Sequence, residues 1–169
     1  MVEPLDSTPP PADADPVMTL DRANWHFQAS VIIARPLEDV FEFADKPENE
    51  HLWQSAAIDV EQTSGGDSEG GAAGQAKGRV LGREMDVSWE VTEHVPNRKV
   101  AFTINVNGRL IYRLWLFDQV PEGTWMRIDS HMPDGPQGLF GKLSDRVAAQ
   151  VFIDRLKGDL RALKQLLEA

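Results

Sequence analysis

The sequence predicts an α+β fold: a curved, seven-stranded antiparallel sheet around one long C-terminal helix, with two short helices after strand 1. Three observations carry this. One alternating run precedes a stretch broken twice by proline, six further runs of strand length follow between Gly, Pro and Asn turn signals, and the last segment keeps helical spacing without a proline. With 169 residues and 41% hydrophobic content, the chain has material for one substantial core.

The elements follow in order. Residues 1–21 begin "MVEPLDSTPPPADADP", which holds five of the eleven prolines beside acids and small residues. Such a composition buries too little apolar area to offset its ordering entropy, so an acidic, Pro-rich disordered tail is expected there. Residues 22–169 are expected to form a single ligand-binding domain. In its first strand Trp25, Phe27, Ala29, Val31 and Ile33 share one face, and His26, Gln28 and Ser30 the other.

Pro36 ends strand pairing and suits a first helical turn, with Glu38 and Asp39 at the positive end of the helix dipole. Leu37, Val40, Phe41 and Ala44 form one apolar stripe. Pro47 stops this helix near Asp45, and a second short helix carries Leu52 and Trp53 inward. The six strands that follow are "AIDVEQT", "QAKGRVLG", "EMDVSWEVTEHV", "KVAFTINV", "RLIYRLWLFDQV" and "TWMRIDSH", joined as an antiparallel meander. Between the first two, "SGGDSEGGAAG" reads as a mobile hairpin loop, and no Lys-Ser/Thr follows to make it a phosphate cradle. Residues 139–167 read as the long helix, its stripe formed by Leu143, Val147, Phe152, Leu156, Leu160, Leu163 and Leu167. A curved sheet closed on one helix leaves a wedge, and the two short helices are the elements available to cap it.

Several function classes are excluded. The formal charge of −10 repels phosphate backbones and anionic membranes, which argues against nucleic acid as a partner. No apolar run approaches the roughly 18 to 20 residues of a transmembrane helix, and the N-terminus lacks the order of a signal peptide. The cysteine count is zero, leaving no thiol nucleophile or thiolate metal site; cytoplasmic residence is the default expectation. The four histidines lack ligand spacing and no HExxH occurs, so no metal and no cofactor is expected. No GxSxG surrounds a serine, and Ser130 and His131 point to opposite faces of one strand, so no hydrolase triad is supported.

The motifs "VIIARPLEDVFEFADKPENEHLW", "WEVTEHVPNRKVAF", "LFDQVPEGTWMRI" and "GLFGKLSDRV" resemble those of the SRPBCC superfamily, whose helix-grip fold is shared by START lipid-transfer domains and birch-pollen-allergen-like proteins. The resemblance spans residues 25–167 and is strongest to bacterial polyketide cyclase/dehydrase-like proteins. It implies a small hydrophobic or polyketide-like ligand in an internal cavity, with cyclisation or dehydration of that ligand as the implied chemistry. Alternatives within the same superfamily are a non-catalytic lipid or quinone carrier or sensor, and a protein-interaction module. Fold resemblance alone does not choose among them.

Two residues are candidates for chemistry. If Trp115 and Phe117 face the long helix, Arg113 faces it too, and pairing across "VPEG" sets Ser130 beside it. An inward arginine needs a carboxylate or a ligand anion, so Arg113 is a candidate to bind a carboxylate, enolate or phenolate; the alternative is a strand end open to solvent or a structural pair with an acid such as Glu93. His51, near Trp53, is the candidate proton-transfer group; the alternative is a surface histidine among solvated acids. Phe41, Trp53, Trp89, Phe102, Trp115, Ser130, Phe140, Leu143 and Val147 are candidates to line the cavity, with plain core packing as the alternative for the apolar ones. Leu110, Tyr112, Leu114 and Leu116 form a second apolar face, which predicts either a homodimer contact or cover by the tail.

Overall fold

The computed structural model describes residues 3–54, 57–64, 72–80, 83–139 and 142–169. Strands β1 (Val17–Asp21) and β2 (His26–Ile33) precede helix α1 (Leu37–Asp45), a 3-10 turn (Pro47–Asn49) and helix α2 (Glu50–Trp53). Then come β3 (Ala57–Ser64), β4 (Ala73–Val80), β5 (Arg83–Val95), β6 (Lys99–Val106), β7 (Arg109–Val120), β8 (Gly123–His131) and helix α3 (Asp145–Glu168). The sheet is antiparallel with order β1-β2-β8-β7-β6-β5-β4-β3. The seven expected strands are present, and an eighth precedes them.

This order explains the lid. β2 pairs with β8 while β3 forms the far edge, so the chain between β2 and β3 must cross the width of the sheet. α1 crosses over β7 and β8, and α2 rests on α3 and β3. The inward faces of β2, β6, β7 and β8 supply Phe27, Val31, Val100, Phe102, Trp115, Phe117, Met126 and Ile128, which meet Phe152, Leu156, Leu160 and Leu163 of α3. At the far side the Trp89 ring lies over Gly74, where any Cβ would overlap it.

Two boundaries differ from expectation. The long helix begins at Asp145, not at residue 139, because the Ser144 hydroxyl accepts the Val147 N–H at 3.3 Å and caps it. Pro136 and Gly138, the latter with φ +77°, keep the preceding segment out of helix. The N-terminal segment is also more ordered than a tail through Asp21. Its last residues form β1 on the edge of β2, and it is pinned further upstream by polar contacts. Leu5 N–H donates to Asp129 Oδ2 at 2.9 Å, Gln28 Nε2 donates to Leu5 O at 3.0 Å, and the Ser7 hydroxyl donates to Gln28 Oε1. Lys164 Nζ donates to Ala12 O and Ile32 O at 3.0 and 2.6 Å, and Arg161 pairs with Asp15 at 3.3 Å. Backbone groups of Leu5 and Ala12, which composition does not display, hold this segment together with the Ser7 and Asp15 side chains.

The N-terminal segment lies against β2 and β8, where the Leu5 N–H meets Asp129 and the Leu5 carbonyl meets Gln28. On the expected second apolar face of β7, Leu114 is buried while Tyr112 is 37% exposed. The expected "SGGDSEGGAAG" loop falls mostly on residues 65–71, outside the described residues.

Asp129 anchors this cover: it is buried and accepts from Leu5 N–H, Gln28 Nε2 and His26 Nε2. Asp129→Ala strands all three donors and is expected to cost about 3 kcal/mol in urea denaturation. Hydrogen exchange should show the Leu5 amide losing protection in the same variant, well before the amides of β7.

Candidate functional site

The site lies where β7 and β8 face α3 beneath α2. Strand alternation sends Ile111, Arg113, Trp115 and Phe117 of β7 to the same face, and all but the arginine belong to the apolar core. The β7–β8 register pairs Arg113 with Ser130, and Arg113 Nε donates to Ser130 Oγ at 3.1 Å. Its guanidinium carbon stands 6.0 Å from the centroid of the Phe152 ring on α3. Glu93, the acid expected as a structural partner, pairs with Lys99 at 2.9 Å instead.

Around the arginine the walls are aromatic. The Trp115 ring lies between Trp53 and Phe102, with centroids 5.4 and 4.6 Å away. The Trp53 and Trp115 side chains are buried, and their indole N–H groups have no hydrogen-bond partner among the described residues. Phe41 of α1 meets Phe117 and His94 edge-on at 5.0 and 5.6 Å, and His94 Nε2 stands 3.1 Å from both oxygens of Asp45. That pair fastens α1 to β5.

Six predicted residues therefore come together: Arg113, Ser130, Trp53, Trp115, Phe102 and Phe41. Trp89 is half-buried at the margin of the same core. Three do not join them. His51 is exposed on α2, and Leu52 beside it is 45% exposed. Val147 is 47% exposed in the first turn of α3, and Leu143 lies in the segment before that helix. Leu143 was assigned on an earlier helix start, whereas Val147, five residues before Phe152, stands about 140° from it around the helix. Phe140 lies outside the described residues.

The residue that sequence reasoning passed over is Glu50. Burial pushes its carboxyl up to about 7, with Arg113 pulling in the opposite direction. Burial also lowers the Arg113 pKa, against the charges of Asp159 on α3 and then Glu50. The signal was present: Glu50 precedes the inward Trp53 by three residues, so both share one face of α2. Asp159 likewise flanks the inward stripe, three residues after Leu156. A largely buried arginine thus stands among aromatic rings with two acids and a serine, an arrangement able to bind an oxygen atom and exchange a proton with it. Among the described residues no group of three or more His, Cys, Asp or Glu is placed to hold a metal ion. Nor does any described helix have the length and apolarity to cross a membrane.

The family model described as polyketide cyclase / dehydrase and lipid transport matches residues 24–168. A protein from Rhodobacter sphaeroides has a similar crystal structure, with TM-score 0.70 and 14% identity over 91% of this chain and 98% of that one. Ara h 8.0201 gives TM-score 0.64 and 15% identity over 84% of this chain and 96% of its own. DynU16, a protein of the dynemicin biosynthetic locus, gives TM-score 0.62 and 18% identity over 84% of this chain but 46% of its own. No curated protein matches the sequence.

The raised Glu50 carboxyl has a stability consequence. Its pKa is higher in the fold than its ordinary 4.5, so its contribution is intact below pH 4.5 and is lost as pH rises through about 7. Glu50→Gln should melt with the native protein in acid and be the more stable of the two at pH 8, by at most about 3 kcal/mol. Thermal melts across that window check the sign; a variant less stable at pH 8 would refute the burial.

Proposed function

The chain belongs to the polyketide cyclase / dehydrase and lipid transport family, and from that membership we propose that it encloses a small apolar, polyketide-like molecule between the sheet and α3, with the molecule's polar end at Arg113. One observation carries the reading: Arg113 stands over Phe152 beside the aromatic cluster of Trp115, Phe102 and Trp53 and, among the described residues, gives one hydrogen bond, to the neutral Ser130 hydroxyl, with the acids Asp159 and Glu50 acting on its charge. A guanidinium has five N–H donors, more than one serine satisfies, and an oxygen of a bound molecule can meet the others. Apolar walls supply affinity, and the few convergent polar groups fix orientation.

Chemical turnover is a second reading, and the Glu50 carboxyl favours it. In a cyclisation or dehydration Arg113 would polarise a carbonyl, and a carboxyl titrating near neutrality would move the proton. Glu50 takes the role first given to His51.

The neutral fluorophore N-phenyl-1-naphthylamine tests the enclosure. It should bind saturably with energy transfer from tryptophan. Ala149 is buried on α3, so Ala149→Met pushes a longer side chain into the wedge and is expected to weaken binding by about tenfold. Val147→Met, on the exposed side of the helix, should leave it unchanged. Absence of saturable binding, or equal loss in both variants, contradicts the reading.

A further inference from the structure

The outer face of the sheet carries a polar device that the wedge does not use. Gln28 of β2 and Asp129 of β8 are register partners there, and each is only 1% exposed. Together they hold both backbone groups of one residue: the Leu5 N–H donates to Asp129 Oδ2 at 2.9 Å, and Gln28 Nε2 donates to Leu5 O at 3.0 Å. Gln28 Nε2 also donates to Asp129 Oδ2 at 3.0 Å and His26 Nε2 meets Oδ1, so the clamp is braced from two sides. The Ser7 hydroxyl donates to Gln28 Oε1. A buried carboxylate and a buried amide aimed at a main chain recognise extended polypeptide with little regard to side chain, and the hydroxyl two residues on adds selectivity.

The segment in the clamp is lightly held elsewhere. None of residues 3–15 is buried, so leaving the clamp exposes little apolar surface. Residues 9–11 are three consecutive prolines, a stiff run, and beyond them the Ala14 N–H donates to Pro11 O at 3.1 Å in a turn, with Ala12 and Asp15 fixed to Lys164 and Arg161 of α3. A pivot at that turn can carry Leu5 as far as about 19 Å from Pro11, at about 3.1 Å per extended residue, and so clear of its own sheet.

We propose that the Gln28–Asp129 clamp is a docking site for the N-terminal segment of a second copy of this chain, filled by the chain's own residues 5–7 in the closed monomer. An identical segment meets an identical clamp in both arrangements, so the contacts are the same. Concentration decides between them. A short tether presents its own segment at about millimolar effective concentration, which keeps dilute native chain closed. Two open copies fill each other's clamps reciprocally, giving a closed two-fold dimer that is held by peptide groups and needs no apolar contact face.

Two full-length variants separate the halves of the interaction. Leu5→Pro lacks the N–H that Asp129 accepts and offers an open clamp without a competent segment; Gln28→Leu keeps the segment and loses the clamp. Each alone should sediment as a monomer at about 0.1 mM in about 0.15 M salt, which screens the net charge of −10 beyond about 8 Å, and their equimolar mixture should form a one-to-one complex. A labelled peptide of residues 3–12 gives a second reading by fluorescence anisotropy. It should bind Leu5→Pro at least about tenfold tighter than the native chain, and N-methylation of its Leu5 should weaken it by about tenfold. If Gln28→Leu does not fold, the peptide alone decides. Failure of the peptide to bind Leu5→Pro, equal binding of its N-methylated form, or a folded pair of variants that stays monomeric when mixed overturns the proposal.

Discussion

A guanidinium on the inward face of β7 must be compensated by whatever closes over it. Arg113 is placed there by strand alternation, two residues from Trp115 and four from Phe117, and cannot turn away without leaving the register that pairs it with Ser130. The neutral serine satisfies one donor only. The remaining compensation comes from outside the sheet, from Asp159 on α3 and Glu50 on α2. One buried cation thereby ties the sheet, the long helix and the lid helix together electrostatically, where apolar packing alone would leave their relative placement less specified.

The lid acquires its position from topology and its polarity from that cation. Because β2 and β3 lie on opposite sides of the meander, the connection between them has to cross the wedge, and its two prolines divide it into pieces short enough to follow the crossing. α1 is held by the Phe41–Phe117 contact and by Asp45 at His94. α2 is a single turn that buries Trp53 and carries Glu50 three residues before it.

Much of this arrangement could be read in the chain. β6 and β7 match the sequence runs to the residue because alternation is strong and the flanking turns are marked by Pro, Asn and Gly. The Arg113–Ser130 pairing followed from counting across a short turn. What escaped were features with no periodic signature. A single helical turn gives no stripe to count, so Glu50 and His51 looked alike, and only the i, i+3 relation to Trp53 separates them. The start of α3 depended on Ser144 acting as a cap, which leaves Leu143 outside the helix, and Val147 was set on the stripe although five residues separate it from Phe152. The N-terminal segment was misjudged because composition reports apolar burial, whereas this segment is held by its peptide groups on Asp129, Gln28 and Lys164.

The Arg113–Glu50 coupling is measured most directly by a double-mutant cycle of Arg113→Met and Glu50→Gln, with unfolding free energies taken at pH 8 and at pH 5. With Glu50 ionised, the two substitutions should be non-additive by about 1–3 kcal/mol, and the coupling should vanish at pH 5, where the carboxyl holds its proton. Additive effects at both pH values would show that the lid carboxyl and the buried guanidinium do not sense one another, and would contradict the organisation of the wedge around Arg113.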